Sequence, residues 1–147
     1  MPGKRFLDTN ILIYAHDLDA GRRHAVAASL VAELWDTGQG VLSIQVLQEF
    51  YVNITRKIPQ PLTPSIARGL IENYCAWEVM TPEVQDVLRA SEVQERNSLS
   101  FWDAMIIVSA SKSGADIVIS EDLNAGQSIE GVLVYNPFFG QQDMITP

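Results

Sequence analysis

Short apolar runs alternate with longer amphipathic stretches along this chain, and the alternation predicts its elements. Lys4–Leu7 forms a brief first strand running into Asp8, Thr9 and Asn10, residue types that favour turns and helix caps. Ile11–Tyr14 follows and is too apolar all round for a surface helix. From about His24 to Trp35, residues Ala27, Leu30, Val31 and Leu34 recur at the spacing of one buried helical stripe, which Gly38 and Gly40 end. Val41–Ile44 reads as a buried strand, and Gln45–Lys57 as a helix with Val46, Leu47, Phe50 and Ile54 inward. Pro59, Pro61 and Pro64 mark a loop, with Thr63–Pro64 the start signal of a helix whose stripe is Ile66, Leu70, Ile71 and Tyr74.

The same logic continues to the end. Trp77–Met80 reads as a strand, Thr81–Pro82 as a second helix start, and Val84, Val87 and Leu88 as the inner stripe of that helix. A further helix runs from near Ser100 to near Gly114, and Ile117–Ile119 and Val132–Tyr135 complete the strands. Strands of three to five apolar residues between amphipathic helices predict an α/β protein: a three-layer α/β/α sandwich around a parallel sheet. There is no internal repeat or low-complexity tract, so residues 1–147 are expected to form a single domain.

Composition narrows the picture. With 47% hydrophobic residues the chain is expected to fold, and no apolar run approaches the ~20 residues that span a bilayer. The N-terminus lacks a signal-peptide pattern and Cys75 has no partner for an internal disulfide, so a cytoplasmic location is expected. A net charge of −8 argues against a broad basic nucleic-acid-binding face, although Lys4–Arg5, Arg22–Arg23 and Arg56–Lys57 are locally grouped.

Candidate chemistry rests on four acids set beside apolar stretches: Asp8, Glu49, Asp103 and Asp122. Parallel sheets of this kind place ligands at the carboxyl ends of their strands. Asp8 follows the first strand, Asp122 lies just beyond the Ile117–Ile119 strand, and Glu49 is within about a turn and a half of the end of the second. Asp103 opens a helix, and its placement depends on packing. Each acid also has a plain structural reading. Asp8 with Asn10 caps a helix, Glu49 sits about 100° round its helix from Phe50, Ser100–Asp103 has capping-box form, and Asp122 solvates a loop. Brought together, the acids would repel one another without a cation, and hard oxygen ligands suit Mg²⁺ or Mn²⁺. His16 and His24 without a matching Cys make zinc a poor fit, and neither a Gly-rich phosphate loop nor a nucleophile elbow is present.

In this order and spacing, these fragments resemble the PIN-domain nucleases, and among them the VapC-type toxins of toxin–antitoxin pairs. The likeness is carried by Asp8-x-Asn10, Glu49 after the second strand, FWDAMI with Asp103, IVIS then EDLN with Asp122, and the closing VLVYNPF. It implies Mg²⁺- or Mn²⁺-dependent cleavage of single-stranded or structured RNA. Asp8, Glu49, Asp103 and Asp122 would hold the metal, Thr9 and Asn10 would steady Asp8, and Ser120 would assist. The family pattern favours Asp122 over Glu121 as the acid facing the pocket. Arg22, Arg23, Arg56 or Lys57 would hold the RNA backbone. The resemblance also implies a homodimer and a small antitoxin that places a basic segment in the acidic pocket, with no membrane involved. Alternatives are a PIN nuclease that processes RNA without being a toxin, or a non-catalytic module with the same fold. A haloacid-dehalogenase-type phosphatase would need a second Asp at position 10, and a receiver domain would need paired acids after the first strand.

Overall fold

The computed structural model describes residues 3–139. The ends of the expected 1–147 domain therefore lie outside the described residues. Its elements are β1 (Arg5–Leu7), α1 (Thr9–His16), α2 (Arg22–Thr37), β2 (Gly40–Ser43), α3 (Ile44–Arg56), α4 (Pro64–Tyr74), β3 (Glu78–Met80), α5 (Val84–Asn97), α6 (Phe101–Ser113), β4 (Ile117–Ile119), β5 (Ser128–Ile129) and β6 (Val132–Tyr135). The six strands form one sheet in the order β3-β2-β1-β4-β6-β5. All pairings are parallel except β5 with β6. The expected α/β/α sandwich with a central parallel sheet is present, and the sheet gains one short antiparallel edge strand. The added strand is a two-residue hairpin arm, turned by Glu130 and Gly131, both at positive φ. Among the described residues no helix is long and apolar enough to cross a membrane.

The order of the strands decides where a site can form. The chain builds outward from β1 to β2 and β3, then returns to the other side of β1 with β4 and β6. The direction of winding therefore reverses between β1 and β4. In open α/β sheets, the crevice beyond the carboxyl ends at such a reversal is where ligands bind. Leu7 pairs with Ile119, so Asp8 and Ser120 leave the sheet side by side, and the Asp8 amide donates to the Ile119 carbonyl at 3.0 Å.

Helices flank the sheet. The apolar sequence of α6 is explained by its position: Ala104 to Ala110 are all buried, with the helix packed on β2, β4, β6 and α5. Its ends are set by Ser100, whose hydroxyl accepts from the Asp103 amide, and by Gly114 in the left-handed conformation. The hydroxyls of Ser43 and Thr63 cap α3 and α4 in the same way.

Two expected helix faces turn out differently. Val84, Val87 and Leu88 of α5 are exposed, while Asp86, Ala90 and Val93 are buried. The reason is at the start of the helix, which begins at Val84 and not at Thr81–Pro82. The Asp86 carboxylate accepts from the Glu83 amide and from Lys112 on α6, which fixes that face inward. In α4 the difference is confined to Ile66, which is exposed; Tyr74 is buried and Leu70 and Ile71 pack partly buried against the core as expected, with Ala67 buried beside them.

Candidate metal centre

Asp8 is the hub of the site. It is only 6% exposed and stands directly after a core strand, at the reversal of the sheet. One of its oxygens accepts from the Thr9 amide at 2.7 Å, so it does cap α1. The other accepts from the Ser120 hydroxyl at 2.8 Å. Burial pushes its carboxyl up to about 6; the Ser120 and Thr9 bonds oppose that rise, and the charges of Asp122 and Asp103 add to it.

The other three acids line the same cavity, about 490 Å³ in volume, each brought by a different element. Glu49 comes from the second turn of α3, where it accepts from the Thr9 hydroxyl and lies 3.4 Å from the Gln45 amide nitrogen. Asp103 comes from the first turn of α6. Asp122 comes from the loop after β4 and accepts from the Asn10 amide at 2.9 Å. Burial moves the Asp122 carboxyl upward, with Asp103 and Glu121 adding to the shift. Four carboxylates distant in sequence are thus gathered at the carboxyl ends of β1, β2 and β4.

The neutral residues around them act differently from expectation in one respect. Asn10 serves Asp122, not Asp8, and Thr9 divides its two donors between Asp8 and Glu49. Ser120, completely buried, does more than assist. It donates to Asp8 and also accepts from the amides of Asp122 at 3.1 Å and Leu123 at 3.4 Å.

The two adjacent acids after β4 face opposite ways. Asp122 lines the cavity, whereas Glu121 is held on the far side by the Tyr14 hydroxyl at 2.7 Å and by Arg23 at 2.6 Å. Arg23 lies over the rings of Tyr14 and Phe138, and Arg22 bonds the Phe138 carbonyl. Both arginines are therefore committed away from the cavity. Of the grouped cations, Lys57 does line it. Sequence reasoning missed Gln45, Gln48 and Asn53 as cavity residues. Their signal was present, since positions 45, 49 and 53 share one face of α3 with Glu49.

His16 is elsewhere. It bonds the Tyr74 hydroxyl at 2.7 Å and packs edge-on to Phe50, and burial lowers its pKa. Cys75 is a free, exposed thiol.

Among the described residues no three acidic, His or Cys side chains converge closely enough to cage an ion as they stand. The carboxylates share a cavity instead. That suits Mg²⁺ and Mn²⁺ by donor type, because Mg²⁺ commonly takes one or two carboxylates and fills its remaining positions with water and phosphate. Among the described residues, none of the four acids is ion-paired to a Lys or Arg. The donor set therefore fits a hard divalent cation.

Comparison with known proteins agrees with this architecture. The family model described as the PIN domain matches residues 5–127. A chain of the toxin–antitoxin complex from Klebsiella pneumoniae superposes with a TM-score of 0.65 at 25% identity, covering 91% of this chain and 98% of that one. The DNA-bound VapBC complex from Salmonella typhimurium gives 0.65 at 18% identity, covering 92% and 98%. Mycobacterium tuberculosis VapC20, described as a sarcin–ricin loop cleaving toxin, gives 0.60 at 20% identity, covering 78% and 87%. No curated protein sequence matches.

Proposed function

The chain belongs to the PIN-domain family, and on that premise we propose that it is a Mg²⁺- or Mn²⁺-dependent endoribonuclease, the toxin of a type II toxin–antitoxin pair. The observation that carries the reading is the gathering of Asp8, Glu49, Asp103 and Asp122 round one cavity, where neutral donors of the chain hold Asp8, Glu49 and Asp122. Toxin–antitoxin complexes among its structural neighbours support the toxin assignment.

In this mechanism the four carboxylates would hold the cation. The chemistry that such a cation supplies when bound is Lewis acidity towards phosphodiester oxygens and towards an attacking water. The chain's own residues do the positioning. Ser120 and the Thr9 amide fix both oxygens of Asp8, the Thr9 hydroxyl orients Glu49, and Asn10 orients Asp122. Groups fixed in this way keep their geometry as charge develops, which is where catalytic advantage arises. Hydrolysis would leave a 5′-phosphate and a 3′-hydroxyl.

The proposed partners follow from the charge of the cavity. A basic arm of a small antitoxin complements it and blocks access to the acids. A homodimer and a cytoplasmic location complete the proposal. The deciding experiment is cleavage of RNA by the purified chain with Mn²⁺, with EDTA, and with Asp8→Asn purified identically. Activity that needs the metal and disappears in a folded variant supports the reading; equal activity in variant and wild type would sink it.

A further inference from the structure

Beside the acids, on the rim of the same cavity, stands a side chain that metal binding does not use. Trp102 is 62% exposed although it belongs to α6, a helix otherwise buried through most of its length. It directly precedes Asp103. Its ring is held edge-on to Phe101 at 5.2 Å, and its carbonyl lies 3.3 Å from the Gln45 amide nitrogen, tying it to α3. The indole is thus a fixed apolar face at the mouth of an acidic cavity. The cavity lining also includes the side-chain amides of Asn10, Gln45, Gln48 and Asn53 and the apolar Val52 and Ile106, and its single cation among the described residues is Lys57, at the end of α3.

An aromatic ring beside side-chain amides and one lysine matches the parts of a nucleotide. A base offers a π-face for stacking, polar edges for amides, and a neighbouring phosphate for a lysine. At about 490 Å³ the cavity falls in the range of small-molecule sites. In A-form duplexes the base faces are already stacked, so only an unpaired base can present its face to an indole.

We propose that Trp102 is a stacking platform for one unpaired base beside the scissile phosphate, with Lys57 on an adjoining phosphate. This rests on the ribonuclease reading above and adds its specificity element. Trp102 and Lys57 bind substrate without holding the cation. Their loss should therefore raise KM and leave kcat and Mn²⁺ affinity near wild type.

The test uses the full chain, Mn²⁺ and an end-labelled RNA that the wild type cleaves. The RNA is also annealed to its complement, and prepared with an abasic nucleotide at each position around the cut. Trp102→Ala should raise KM about 10- to 100-fold, as stacking on an aromatic ring requires, and Trp102→Phe should restore most of it. One abasic position should raise KM about tenfold in the wild type and no further in Trp102→Ala, because both changes remove the same contact. The annealed duplex should resist cleavage. Equal KM in Trp102→Ala and wild type, an abasic penalty that persists in Trp102→Ala, or duplex cut as fast as single strand would each overturn the platform. So would weakened self-association in Trp102→Ala with KM unchanged, which would assign the indole to a protein contact. A wild type that cuts no RNA would remove the ribonuclease reading itself, which distinguishes the two failures.

Discussion

Two acidic regions of this molecule treat their carboxylates in opposite ways. On the α5–α6 side, Asp86 pairs with Lys112 at 2.7 Å, and Glu130 is shared by Arg89 and Arg96 at 3.1 and 2.9 Å. Both carboxyls titrate below their ordinary values: Asp86 chiefly through its bond from the Glu83 amide, and Glu130 chiefly through its bond from Arg96. At the carboxyl edge of the sheet, Asp8 and Asp122 titrate above theirs, chiefly because they are buried, with the charges of neighbouring acids adding to the rise. The ion pairs among the described residues all lie away from the four cavity acids. One region is internally compensated by cations of the chain, while the acids of the other have no Lys or Arg ion pair among the described residues.

That contrast can be broken most directly at Asp8. Moving its carboxyl from 3.8 to about 6 corresponds to about 3 kcal/mol against the ionised folded form. The sign follows from linkage: the folded state keeps this proton where the unfolded chain has released it. The residue's contribution to stability is therefore full below pH 4 and is lost as pH rises towards about 6. In EDTA at neutral pH, Asp8→Asn should stabilise the protein by about 1–3 kcal/mol in thermal or urea unfolding, while cleavage falls by ~10³-fold or more. A less stable variant would show that Asp8 is a structural acid.

Cation addition is the next sharpest probe. Mn²⁺ at about 100 times its Kd should stabilise the wild type by about 2.7 kcal/mol, leave Asp8→Asn almost unmoved, and lose its effect as pH falls below about 6, where Asp8 takes up its proton. Stabilisation that survives in the variant would place the ion elsewhere. Ser120→Ala should then weaken Mn²⁺ binding about 10- to 100-fold by calorimetric titration, the usual cost of removing a residue that orients a ligand. Unchanged affinity would relegate Ser120 to packing. The smallest expected effect is at the compensated acid. Asp86→Asn should destabilise the fold by about 1 kcal/mol through its lost cap and ion pair, with cleavage unchanged. Its sign is opposite to that of Asp8→Asn, and the same sign at both would erase the distinction between the regions.

The two regions also differ in how far they could be read from the sequence. Asp8, Glu49 and Asp122 were legible because each follows the carboxyl end of a strand, and strands announce themselves as apolar runs. The inward placement of Asp103 was not, since α6 is apolar on every side and its periodicity points nowhere. On α5 the pattern misled. Val84, Val87 and Leu88 outweigh Ala90 and Val93 in hydrophobicity, yet Asp86 faces inward because Lys112, distant in sequence, meets it there. Strand β5 escaped notice because Ser128 and Ile129 carry too little pattern to register. Asn10 was assigned to the wrong acid for a related reason: its partner Asp122 arrives only through the pairing of β1 with β4.

The triple role of Ser120 has a consequence for motion. The hydroxyl that donates to Asp8 is the same one that receives the amides of Asp122 and Leu123. Whatever firms Asp8 must also firm the start of the loop beyond β4, so the occupancy of the cavity is written into how often that loop opens. Hydrogen exchange at the Asp122 and Leu123 amides should slow when Mn²⁺ is added to the wild type and stay fast in Ser120→Ala, giving a local clock for cation binding that needs no substrate.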